Sequence, residues 1–74
     1  MTPAQCRAAR ALIDMTQADI AGDVVVTTTL IADYEAGVSA PREADLKAIR
    51  EALERAGVEL IDGDQPAVRL RKGW

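Results

Sequence analysis

Two short stretches of helical period, each announced by a threonine and set one behind the other within residues 16–37, constrain this chain more than any other feature. Thr16-Gln17-Ala18-Asp19 reads as an N-cap with an acid in the first turn, where the positive end of a helix favours it. Ala18, Ile20, Ala21 and Val24 supply the apolar side of that helix. Thr27 opens the second stretch, with Val26, Leu30, Ile31 and Tyr34 as packed positions and Gly37 where a helix end wants a left-handed residue. Thr27, Thr28, Thr29, Ala32 and Asp33 are left facing outward.

The flanking sequence continues in the same style. Thr2-Pro3-Ala4-Gln5 is a capped helix start with proline where its missing N–H costs nothing, and Cys6, Ala9, Arg10 and Ile13 share one face of a helix reaching about Asp14. After the connector Val38-Ser39-Ala40-Pro41, residues 43–56 return to helical period through Leu46, Ile49, Leu53 and Ala56 and stop at Gly57. The period then changes: residues 58–61 and 67–71 read as two strands joined by Asp62-Gly63-Asp64-Gln65-Pro66. The expected fold is mainly α, about four helices over residues 1–57 with a short C-terminal β-hairpin over residues 58–74. An isolated hairpin is barely stable, so this one must pack on the helices or pair with a second chain. Val58, Leu60, Val68 and Leu70 are its expected dimerisation residues.

Size and composition narrow the function. A chain of 74 residues makes one domain, which buries only about 60% of its unfolded surface, so a homodimer would add stability. Cys6 is the only cysteine and histidine is absent, which excludes an internal disulfide, a Cys/His zinc site and histidine catalysis. No nucleophile–base pair, metal cluster or phosphate loop is present, so neither an enzyme nor a cofactor or small-molecule ligand is expected. No apolar run approaches the roughly 18 residues that span a membrane and no signal peptide opens the chain, which is expected to be cytoplasmic. Residues 1–37 hold Arg7 and Arg10 against Asp14, Asp19, Asp23, Asp33 and Glu35, whereas residues 38–74 balance seven against seven. That acidity weighs against tight DNA binding by one copy, because phosphate neutralisation supplies most sequence-independent affinity.

The spacing Thr16-Gln17-x-x-Ile20-Ala21, then Val26-Thr27-x-x-x-Ile31-x-x-Tyr34-Glu35-x-Gly37, resembles that of the Cro and lambda-repressor type (XRE-like) helix-turn-helix regulators, over residues 1 to about 56. The resemblance implies a lambda-repressor-like bundle with double-stranded DNA as its partner. By position it makes Thr28, Thr29, Ala32 and Asp33 the base-contacting candidates, with Gln17 and Thr27 on phosphates and Arg42 as basic help. Threonine meets a thymine methyl or donates a hydrogen bond, and an aspartate accepts from cytosine N4 but is repelled by phosphate. The bland alternative for the threonines is a cap followed by indifferent solvent positions. The resemblance also implies a partly buried, structural ion pair between Arg10 and Glu35; otherwise both are solvated. Val25 stands where the pattern places glycine, so the turn either differs or is strained.

Three further features have two readings each. Cys6 reads as a small buried hydrophobe rather than a redox sensor. Arg69 and Arg71 share a strand face, either as a solvated edge or, with Lys72, as a phosphate contact; Trp74 is either frayed or an anchor for the hairpin or a partner. The function these observations favour is a homodimeric transcriptional regulator, such as a repressor, on a two-fold symmetric operator. The alternative is an antitoxin- or antiactivator-like module that binds another protein through the same acidic fold. Asp33→Asn separates them, since it strengthens or retunes DNA binding only under the first.

Overall fold

The computed structural model describes residues 1–71; Lys72 and Trp74, singled out above, lie outside the described residues. Its elements are α1 (Pro3–Leu12), α2 (Gln17–Val24), α3 (Thr28–Glu35), α4 (Glu43–Arg55), β1 (Val58–Ile61) and β2 (Ala67–Leu70). The expected bundle of four helices with a terminal hairpin is what forms. None of the helices is long and apolar enough to cross a membrane.

Each of the first three helices starts on a threonine whose hydroxyl accepts the N–H three residues on, at 3.1, 3.0 and 3.1 Å for Thr2, Thr16 and Thr27. Gln5 and Asp19 reach back to the cap N–H at 2.8 and 3.0 Å, completing two capping boxes. These helices also end alike. Met15, Val26 and Val38 donate to the carbonyl five residues back (Arg10, Ala21 and Asp33) at 2.9, 3.0 and 2.9 Å. That bond requires a left-handed residue just before the donor. Asp14 (φ 55), Val25 (φ 58) and Gly37 (φ 75) take this role, so the turn between α2 and α3 has the glycine-type geometry, on a β-branched residue.

The core joins Cys6 and Ala9 of α1 to Ile20, Ile31, Ile49, Leu53 and Val58. Helices α2 and α3 pack on each other, α3 also on α1, and α2 on α4; the hairpin leans on α1 through β2 and on α4 through β1. The strands pair antiparallel, Val58 opposite Leu70 and Leu60 opposite Val68. Gln5, read in the sequence only as a cap, is buried and pins the hairpin as well: its Nε2 donates to the carbonyls of Ile61 (2.8 Å) and Ala67 (3.1 Å). Of the residues expected to serve a dimer, Val58 and Leu60 are instead spent on the chain's own core, at 0% and 6% exposure. Val68 is partly covered by that core, and Leu70 stays 41% exposed.

Candidate nucleic-acid interface

The geometry of α3 is set from its far end by Glu35. This carboxylate is 2% exposed and sits where three helices meet. Arg10 Nε donates to its Oε2 at 2.7 Å and Arg10 Nη2 to its Oε1 at 2.6 Å, a side-on, two-bond pairing that fixes direction as well as distance. Cys6 Sγ donates to Oε2 at 3.1 Å and Gln17 Nε2 to Oε1 at 3.1 Å. Arg7 donates to the Glu35 backbone carbonyl, and Arg10 Nη1 to the Met15 carbonyl at 3.0 Å. The carboxylate thus binds groups from α1 and α2 while belonging to α3, and no buried polar side-chain atom among the described residues lacks a partner.

Electrostatics follow from this geometry. Burial by itself raises the Glu35 carboxyl, but the hydrogen bonds from Arg10, Gln17 and Cys6 outweigh it and hold the group below the usual carboxylate range. Burial, with Glu35 beside it, pushes the Cys6 thiol up to about 12. A thiol held that far from ionisation is a buried donor, inert as a nucleophile.

Clamped in this way, α3 turns Ile31 and Tyr34 inward and leaves Thr27, Thr28 and Thr29 exposed at its N-terminal end, with Ala32 and Asp33 half-buried. Thr28, Thr29, Ala32 and Asp33 therefore fall on the part of α3 turned away from Ile31 and Tyr34, with Thr27 as the cap just before it. Thr27 spends its hydroxyl oxygen on the cap, but its O–H can still donate. Gln17 is half-buried with one amide hydrogen committed to Glu35, which leaves its carbonyl oxygen and second hydrogen for other partners. Arg42 is 86% exposed, immediately before α4, with only a loose contact of 3.6 Å to Asp45. No basic side chain lies between Thr16 and Gly37; Arg10 is paired with the Glu35 carboxylate, and exposed Arg7 gives one bond to the Glu35 carbonyl. Arg69 and Glu59 form a cross-strand pair at 2.7 Å on the hairpin, away from α3.

A family model described as helix-turn-helix matches residues 7–60 of the 74. No curated protein matches the chain. The capped α2–α3 pair, its left-handed turn at Val25 and the Arg10–Glu35 clamp all fall within the matched span. The chain belongs to the Cro and lambda-repressor type of helix-turn-helix proteins, a family of DNA-binding transcriptional regulators.

Proposed function

We propose that this protein is a transcriptional regulator that binds a two-fold symmetric DNA operator as a homodimer, with one α3 in each of two successive major grooves. The single observation that carries this is the exposed, capped start of α3, where Thr28 and Thr29 project from a helix whose other end is fixed by the Glu35 clamp. Threonine methyl groups match thymine methyls, and the hydroxyls donate to or accept from base edges. Gln17, Thr27 and Arg42 set the register on phosphates, and Ala32 and Asp33 face the bases beyond the threonines. With one helix per half-site, the half-site centres lie about one helical turn, roughly 10 bp, apart or a multiple of it.

Selection of bound duplexes from a random pool, with the purified protein at low salt, tests this reading. The expected result is a palindromic consensus whose recovery is lost in a Thr28→Ala/Thr29→Ala double variant with unchanged thermal stability. Failure to enrich any sequence would sink it. A second reading, a module that binds another protein, is favoured by the four acids and absent bases of residues 16–37. It requires that Asp33→Asn leave DNA affinity unaffected.

A further inference from the structure

We propose that Cys6 is a positioning residue for DNA contact: its thiol fills the last acceptor site of the Glu35 carboxylate, so that Gln17 gives one amide hydrogen to Glu35 and keeps the other for a phosphate. This rests on the DNA-binding reading above and adds to it a side chain of α1 that touches no DNA. An ionised carboxylate has about four lone-pair sites. Glu35 fills them two to an oxygen: Oε2 accepts from Arg10 Nε at 2.7 Å and Cys6 Sγ at 3.1 Å, and Oε1 from Arg10 Nη2 at 2.6 Å and Gln17 Nε2 at 3.1 Å. The thiol is fully buried, and at that distance its sulfur is closer to Oε2 than van der Waals contact allows without a hydrogen between them. Cys6 stands one turn before Arg10 on the same face of α1, so the two donors reach the carboxylate side by side.

The count of donors matters because solvent barely reaches this carboxylate. Glu35 is 2% exposed, so an acceptor site left empty there is not filled by water. The last torsions of a glutamate and of a glutamine lack sharp staggered wells, and their partners decide where the carboxylate and amide planes point. With Cys6 in place the carboxylate is saturated and makes no claim on the second Nε2 hydrogen of half-buried Gln17. Without the thiol, Oε2 lacks a donor, and the carboxylate draws on the side chain that has a soft torsion and a hydrogen to spare, which is Gln17. The other neighbours are tied elsewhere: Arg10 Nη1 to the Met15 carbonyl at 3.0 Å, Arg7 to the Glu35 backbone carbonyl, and the Tyr34 hydroxyl to the Met1 carbonyl at 3.2 Å. Against burial, which raises it, the Cys6 bond joins those of Arg10 and Gln17 in holding the Glu35 carboxyl below the usual range. A cysteine that only filled space would have no such effect.

Cys6→Ala and Cys6→Ser isolate the donor, because the two side chains leave nearly the same void and only serine keeps a hydrogen to give. In the wild type the infrared S–H stretch belongs to one residue, since Cys6 is the only cysteine. It should lie at the lowered frequency of a bonded thiol and rise in Glu35→Gln, whose neutral oxygen accepts less strongly. In an NMR titration of the side-chain carboxyl carbons without DNA, the Glu35 midpoint should be higher in Cys6→Ala than in Cys6→Ser. On the selected operator, Cys6→Ala should bind about fivefold more weakly than Cys6→Ser, the worth of one hydrogen bond. In a Gln17→Ala background the two should bind alike. A free-thiol S–H band in the wild type overturns the proposal even where both variants fail to fold, as do equal affinities of the two variants. A difference that persists in the Gln17→Ala background overturns the path through Gln17. Failure of the selection experiment strikes the DNA reading itself, even where the band shows the Cys6–Glu35 bond; a free-thiol band strikes the role of Cys6 and leaves the DNA reading standing.

Discussion

Val25→Gly should make this protein more stable. Val25 holds φ 58 and ψ 52, and its side chain is 89% exposed, so the valine contributes almost no burial in return for its conformation. An L-residue in the left-handed region carries about 1 to 2 kcal/mol of strain, and branching at Cβ places valine at the unfavourable end. Glycine removes that strain but gives the unfolded chain more freedom, which costs about 0.4 to 1 kcal/mol. The net gain is about 0.5 to 1 kcal/mol, or about 2 to 8 °C in Tm for a domain of this size, read by thermal circular dichroism. Gly37→Ala is the mirror case. Gly37 sits at φ 75, and an added Cβ would meet nothing within 4 Å, so its net loss of about 0.5 to 1 kcal/mol is backbone strain less the gain from a stiffer unfolded chain. A lower Tm for Val25→Gly, or an unchanged Tm for Gly37→Ala, would refute the assignment of strain to these turns.

Three further expectations concern the clamp and the thiol that donates to it. The folded Glu35 carboxyl lies below its unfolded value of about 4.3, so its stabilisation is complete above that pH and is lost as pH falls through the folded value. Urea melts of Glu35→Gln should show a flatter acid limb than wild type; equal limbs would remove Glu35 as the cause. Removing one partner outright by Glu35→Ala should cost about 3 to 5 kcal/mol, because Arg10 is left partly buried and unpaired. The Cys6 thiol, raised to about 12, titrates with the opposite sign: its contribution is intact below the unfolded value of about 8.5 and is lost as pH rises towards 12. At neutral pH, alkylation of Cys6 should keep pace with urea unfolding, and labelling at the free-thiol rate in native buffer would contradict its burial.

How far the fold was legible depended on how local its causes are. Thr2, Thr16 and Thr27 act within one helical turn of themselves, and the sequence marks all three helix starts. The ends were harder to read. Gly37 announces a left-handed residue, whereas Asp14 and Val25 take the same conformation where no glycine marks it, Val25 against its own preference. Long-range partners were visible only through resemblance, as with Arg10 and Glu35. Where no pattern existed they were missed: nothing near Gln5 says that its amide meets Ile61 and Ala67, more than fifty residues away. The hairpin residues were assigned by alternation alone, which separates the faces of a strand but not a face buried by its own helices from one buried by another copy. That distinction moved Val58 and Leu60 into the core.

The clamp also bears on how this protein holds DNA. Arg7 and Arg10 are the only bases in the first 37 residues, and Glu35 engages both, Arg10 through its carboxylate and Arg7 through its carbonyl. What the proposed interface offers to phosphates within residues 16–37 is neutral, Gln17 and Thr27, while Arg7, whose charge a carbonyl does not cancel, and Arg42 are the bases that flank it along the chain. Neutral donors fix position without releasing counterions; each phosphate neutralised by a cation changes the slope of log affinity against log salt by about −0.9. If Arg42 alone of each protomer reaches phosphate, a dimer should show a slope of only about −2, measured by fluorescence anisotropy on the selected operator. A slope steeper than about −4 would mean that other cations, Arg69 and Arg71 first among them, reach the backbone. A shallow slope with undiminished selectivity places the discrimination in methyl contacts and groove shape, the terms that survive when charge contributes little.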